Sequence, residues 1–482
     1  MDFNKFLRSN SYLRIYEQLS LEDMKSLVEF LQSNREIKKL TLVGSVMKNF
    51  NIPEEGAKVL ANTSLTCLHF IRMEISDKDA EALANGNLTG LTSLRLEGSS
   101  INNESIEALA NNNFKSLTSL FIEGGNVGDK GVKALANGNL TNLTSLHFQW
   151  CKISDKGAEA LANGNLRGLT SLCLENNQIG DKGIKALAKG NLTGLTSLHL
   201  VDNKIGDKGS KALANGNLTN LTYLLLAQNN IGDKGAEALA NGNLTGLTSL
   251  RLVKNEIGSK GAEALAKGNL KGLTYLSLEH NKVGNEGAEA LANGNLTGLT
   301  SLRFIDEQIN DKGAKALANG KLTDLTSLRL VNNKVGNEGA KALANGNLTG
   351  LKVIDLQMND ISDKGLKALT KGNLTNLKLI GLAKNKANGG NDVILNTDSS
   401  ANREERGKRW KVVRHRLTSI RSLGRSLTQR LRRNDEAQHY NEIEGSTTSS
   451  SSLISATSPS QPLSPLENIE IEKWTQFNCC NR

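Results

Sequence analysis

The sequence predicts an α/β solenoid, with a parallel sheet on the concave side, short helices on the convex side and a tail of a different composition. Three observations carry this prediction. A 26-residue unit, written at residues 195–220 as LTSLHLVDNKIGDKGSKALANGNLTN, opens on a leucine that returns without slip at Leu65, Leu91, Leu117, Leu143, Leu169, Leu195, Leu221, Leu247, Leu273, Leu299, Leu325, Leu351 and Leu377. Within each unit a two-residue apolar period gives way to a helical one. Past residue 385 the repeat stops and the charge becomes strongly positive.

In the unit, Leu198 and Leu200 alternate with Ser197, His199 and Val201, as in a short strand with one buried face. Gly206-Asp207 then supplies a helix start. Ser210, Leu213, Ala214 and Leu218 follow at near-helical spacing, and Asn215-Gly216 is expected to stop the helix in the left-handed region. Small residues such as Ala186, Ala212 and Ala238 keep the helices slim enough to stack. Asn203, with Asn177, Asn229, Asn255, Asn281, Asn333, Asn359 and Asn385, should form a ladder of buried amides bonded to neighbouring turns, and Cys151 takes the same position as a buried structural thiol. One unit cannot bury enough apolar surface to offset its own ordering, so stability requires stacking.

This pattern resembles the leucine-rich repeat, L-x-x-L-x-L-x-x-N/C-x-L, over residues 37–385, and implies a horseshoe. The helical half, reading GAEALA or GAKALA, is most similar to the ribonuclease-inhibitor-like class and to GALA-type repeats of bacterial effectors. The resemblance implies a binding scaffold, and its GALA side implies a bacterial or symbiont protein delivered to a host cytosol. It specifies fold far more than function. Two alternatives come with it. One is a ubiquitin-ligase adaptor of GALA type, which would need an F-box-like amino-terminal segment. The other is a GTPase-activating regulator of a small GTPase, because a GTPase-activating protein for Ran is built on similar repeats. That family carries an acidic tail, whereas this tail is basic.

The composition agrees. Aromatic content of 4% suits a leucine-and-alanine interior, and five cysteines in no secreted pattern favour a reducing, cytoplasmic location. No apolar run approaches a membrane span, and no signal peptide is read at MDFNKFLRSN. Residues 1–36 lack the repeat, but Ser20-Leu21-Glu22-Asp23 reads as a capping box opening a helix with Met24, Leu27, Val28 and Leu31 on its apolar face: a helical cap for the first repeat.

Across the copies the framework is uniform and the outward strand positions vary, as a binding surface requires. One outward column holds Arg95, Phe121, His147, Cys173, His199, Leu225, Arg251, Arg303, Arg329 and Asp355, and a bordering column holds Trp150, Asp202, Lys254 and His280. From these we expect a concave protein-binding face, with Trp150 and Phe121 as anchors and Arg251, Arg303 and Arg329 supplying charge farther along. The exposed helix column, which holds only Glu or Lys, reads as a solvated face.

His147, Cys173 and His199 stand on three successive strands and could present a row of zinc ligands. A parallel row lies flat, however, and no carboxylate completes that column, so no metal is expected. No catalytic constellation, phosphate loop or cofactor motif is found, so neither enzymatic activity nor a cofactor is expected, and the chain reads as a monomer.

The tail divides into a linker (residues 386–402), a basic amphipathic helix (403–433) and a disordered Ser/Pro-containing segment (434–482). Twelve Lys/Arg against two Glu in 403–433 account for the chain's whole net charge of +10. Arg409, Trp410, Lys411, Arg414, Arg416, Leu417, Ile420 and Arg421 are the candidate docking residues. Four readings of this helix stand: a cap on the last repeat, docking to an anionic membrane, occupancy of a calmodulin-type partner groove, and nucleic acid or nuclear import.

Overall fold

The computed structural model describes residues 1–44, 50–53, 55–98, 101–111 and 114–387, and the backbone of 394–396 and 411–412. The apolar alternation does what the sequence requires of it. Leu198 and Leu200 are fully buried, as are their counterparts Leu172, Leu174, Leu224 and Leu226, and the strands carrying them lie side by side in one sheet. Strands run parallel and in register from Tyr12–Ile15 to Leu379–Gly381, so residues 26 apart face each other across every step from Cys67 onward. Helices of mostly 8–10 residues, such as Asp155–Asn163 and Asp181–Lys189, return the chain along the other side. The result is an open α/β solenoid with a continuous core of leucine, isoleucine and alanine.

Neighbouring repeats complete each other's helix ends. The N–H groups of Gly206 and Gly209, at the start of one helix, both donate to Asp181 Oδ1 of the preceding repeat at 2.8 Å. Asp207 serves the next repeat in the same way. The helix stop differs from the sequence expectation: glycines after the helices have extended backbones, with φ −79 at Gly190 and −84 at Gly242. Close approach selects glycine here instead, because a Cβ at Gly216 would lie 2.5 Å from the Ala188 carbonyl oxygen.

The amide ladder is present. Asn203 Nδ2 donates to the carbonyls of Leu174 (2.9 Å) and Val201 (3.2 Å), and its Oδ1 accepts from Ile179 N–H at 3.0 Å. Cys151 is fully buried, its thiol donates to the Gly124 and Gln149 carbonyls, and burial pushes it up to about 12. Another rung also differs: Glu307, almost fully buried, stands in place of asparagine and accepts from the N–H groups of Asn281 and Val283.

Both sheet ends carry antiparallel strands. The helix Leu21–Ser33 has the expected Ser20–Asp23 capping box and buried face. Residues 1–36 also contribute a strand, Tyr12–Ile15, that extends the parallel sheet, and a second strand, Leu7–Ser9, that pairs antiparallel along its edge. At the other end Ile394–Asn396 pairs antiparallel with Leu379–Gly381, and Lys411–Val412 pairs with Ile394–Asn396. The expected linker thus contains a strand, and Lys411–Val412, inside the stretch expected as a helix over 403–433, are extended. An open sheet edge offers a row of unpaired N–H and C=O groups, a more immediate partner for the chain than an isolated helix turn. The remainder of the tail, with Arg409, Trp410, Arg414, Arg416, Leu417, Ile420 and Arg421, lies outside the described residues. Among the described residues no helix is long and apolar enough to cross a membrane.

Candidate functional site

The repeat register brings the variable positions together. Arg95, Phe121, His147, Cys173, His199, Leu225, Arg251, Ser277, Arg303, Arg329 and Asp355 pair strand to strand as one unbroken row. The bordering column has a property not anticipated from sequence: its residues adopt left-handed backbone. Trp150 (φ +59), Asp202 (+53), Gln228 (+53), Lys254 (+51) and His280 (+56) all lie there, alongside Gly98 and Gly124. The conformation ends each strand, and the N–H of Lys254, for one, hangs from the Glu279 carbonyl of the next repeat at 2.8 Å. Glycine, asparagine and aspartate tolerate this region, whereas a bulky side chain adopts it at a cost of about 1–2 kcal/mol. Trp150 is also 40% exposed, so neither backbone preference nor core packing accounts for a tryptophan at this position.

Around Trp150 the face is aromatic and acidic. The Arg95 guanidinium lies 3.8 Å from the centre of the Phe121 ring, and its Nε is 3.2 Å from Glu97 Oε2. Phe121 stacks on His147 at 5.5 Å. Burial, with His199 adding to it, brings the His147 imidazole down to about 4, so it is neutral at neutral pH. Farther on, His199 packs against Tyr223 at 5.0 Å, and Arg251 lies between the rings of Tyr223 and Tyr275 at 5.5 and 4.5 Å. The two tyrosines were not selected from the sequence. The available signal was that they replace the serine found at this strand position in most other copies. Leu225 is partly buried in the same row, and Lys254 and His280 are exposed at its rim.

The far stretch corrects the expectation of exposed charge. Arg303, Arg329 and Asp355 are buried, at 7, 5 and 0% exposure. Arg303 directs its Nε to Glu279 Oε1 (3.1 Å) and its Nη1 to the Tyr275 hydroxyl (2.6 Å). Burial raises the Asp355 carboxyl, against the opposing pull of Arg329. Arg303 and Glu279 form an ion pair within this buried stretch, and Arg251 is the arginine of the three that remains partly exposed.

One cluster carries chemistry. Ligating atoms of Cys173, Glu175 and His199 all lie within 4.8 Å of one another. His199 Nδ1 is 3.2 Å from Glu175 Oε1, and its Nε2 is 3.1 Å from Ser197 Oγ. Hydroxyl, imidazole and carboxylate therefore align as in a nucleophilic relay. The neighbouring backbone N–H groups, on Leu174 and Leu200, already donate to the His199 and Leu225 carbonyls and build no oxyanion hole.

Comparison with known proteins agrees with this architecture. A family model described as Leucine Rich repeat matches nine segments: residues 115–136, 139–162, 167–188, 192–214, 217–240, 244–266, 272–292, 321–344 and 348–369. The chain is a leucine-rich-repeat protein. Solved structures similar to it include an internalin from Listeria monocytogenes, at 26% identity over 60% of this chain and 85% of that one, with a TM-score of 0.38. The Rad7 and Elc1 complex in yeast is similar at 20% identity over 72% of this chain and 86% of that one, with a TM-score of 0.45. No curated protein matches it. Leucine-rich repeats are scaffolds typical of protein–protein interaction, and in this protein the repeat places its variable residues on the concave sheet.

Proposed function

We propose that this leucine-rich-repeat protein is a non-enzymatic binding scaffold whose concave face, centred on Trp150, holds a protein partner. The observation that carries the reading is Trp150 itself, a large, exposed side chain in a backbone conformation that disfavours it. Folding alone gives no reason for it, whereas tryptophan at the centre of an interface is among the strongest anchors. Arg95, Phe121, Asp202, Arg251 and Lys254 supply the surrounding contacts, and Tyr223 and Tyr275 join them. Within the leucine-rich repeats, the finer assignment to the ribonuclease-inhibitor-like class and a GALA-type effector draws support from the α-helix in nearly every repeat. A cytoplasmic place of action, including a host cytosol, draws support from the buried thiols Cys151 and Cys173.

The test is affinity capture from lysate with the full chain, comparing Trp150→Asn with Lys185→Ala on a convex helix. Asparagine occupies the Trp150 column at Asn176 and Asn332, so the variant is compatible with the backbone. Loss of the anchor should weaken capture by roughly 30-fold, a little over 2 kcal/mol, while Lys185→Ala leaves it unchanged. Equal capture by both variants would count against the concave face.

A further inference from the structure

We infer that Cys173, Glu175 and His199 form a binding site for a divalent metal ion of the zinc type on the concave sheet. The donor set is mixed: a sulfur, a carboxylate oxygen and an imidazole nitrogen. That combination selects zinc, cobalt or nickel over magnesium and calcium. The carboxylate missing from the column of His147 and Cys173 comes from the next outward position, two residues along the strand from Cys173.

The geometry is close to that of a bound state. Nitrogen and oxygen ligands of one tetrahedral ion sit roughly 3.4 Å apart. His199 Nδ1 and Glu175 Oε1 are 3.2 Å apart. The sulfur lies within 4.8 Å of a ligating atom of each residue and needs to approach by on the order of 1 Å, which a small change in its side-chain torsion supplies. The second ring nitrogen has its partner in place: with its proton on Nε2, His199 donates to Ser197 Oγ and turns the Nδ1 lone pair toward the ion. The side chains of Glu175 and His199 retain 21 and 12% exposure, which leaves a fourth coordination position for water or a partner's side chain. His147 stands apart, its ring against Phe121 and its Nε2 3.2 Å from Ser145 Oγ.

The site releases a proton as it fills. On binding, the S–H bond breaks, the sulfur–metal bond forms and one proton leaves to solvent per ion. This inference is independent of the proposed binding role.

The experiment is a cobalt(II) titration of the full chain in a background of Cys479→Ser and Cys480→Ser, which removes competing thiols. The repeat supplies replacements already accommodated in the same columns: serine at Ser277, valine at Val201 and leucine at Leu225. A sulfur-to-cobalt absorption band should saturate at one ion per chain and be displaced by zinc. Cys173→Ser should abolish the band, and Glu175→Val or His199→Leu should weaken binding more than the roughly 10-fold expected for the supporting Ser197→Ala. Cys67→Ser should leave the band intact, although Cys67 Sγ lies 3.4 Å from His69 Nε2. Absence of any band at micromolar cobalt, or a band that survives Cys173→Ser while the variant melts like the parent chain, would overturn the site.

Discussion

At the scale of single residues, the repeat explains a position best where the residue departs from its column. Glu307 replaces a ladder asparagine. Burial pushes its carboxyl up to about 8, against the pull of the Asn281 and Val283 N–H groups, with Asp306 and Glu279 adding to the rise. A raised folded value means that the native state binds more protons than the unfolded chain between about pH 4.5 and 8. Stability from this group is therefore complete below pH 4.5 and is lost as pH rises through 8, by up to about 1.4 kcal/mol per pH unit. Glu307→Asn should restore the rung, raise Tm at pH 8 and flatten Tm against pH across that window, measured by calorimetry. Trp150→Asn exchanges lost side-chain contacts for relieved backbone strain, so its stability should stay within about 1 kcal/mol of the parent in urea unfolding, despite its effect on binding. Much at this scale was legible in the sequence: the outward positions of Arg95, His147 and His199 followed from alternation alone. The burial of Arg303, Arg329 and Asp355 was not, because it depends on how long side chains on adjacent strands pair. The left-handed backbone at Trp150 was hinted at by Gly98, Gly124, Asn176, Asp202, Asp306 and Asn332 in its column.

At the scale of elements, the strands and helices were legible because the 26-residue period repeats each signal 13 times, and any ambiguity in one copy is resolved by the others. The ends have no such redundancy. The strand Tyr12–Ile15 and the edge strands Leu7–Ser9 and Ile394–Asn396 lack repeat partners in the sequence, and pairing with the sheet edge is what makes them strands. Truncation after Val412 should therefore leave the solenoid's Tm unchanged. Truncation after Ala387 removes both carboxy-terminal strands and exposes the edge of Leu379–Gly381, so it should lower Tm by a few degrees and promote association, seen by scanning calorimetry and light scattering. Equal melting of the two chains would show that the edge strands contribute nothing to stability.

At the scale of the whole molecule, a uniform framework carries a graded surface. Strands of five residues at Cys67–Ile71 through Ser145–Gln149 give way to strands of three from Ser171–Cys173 onward. Along the same path the face changes from acidic and aromatic, around Glu97, Glu123, Trp150 and Glu175, to buried charge at Arg303, Arg329 and Asp355. Recognition by the proposed concave site is concentrated in the first of these stretches and its border with the second. The direct test is site-specific photo-crosslinking of the full chain in lysate, with the reactive group placed at Gln228, exposed in the Trp150 column, or at Lys185 on the convex side. A concave binding face centred on Trp150 should give discrete protein adducts from position 228 that disappear in Trp150→Asn, and none from position 185. Adducts from position 185 alone, or equal adducts from both positions, would contradict it.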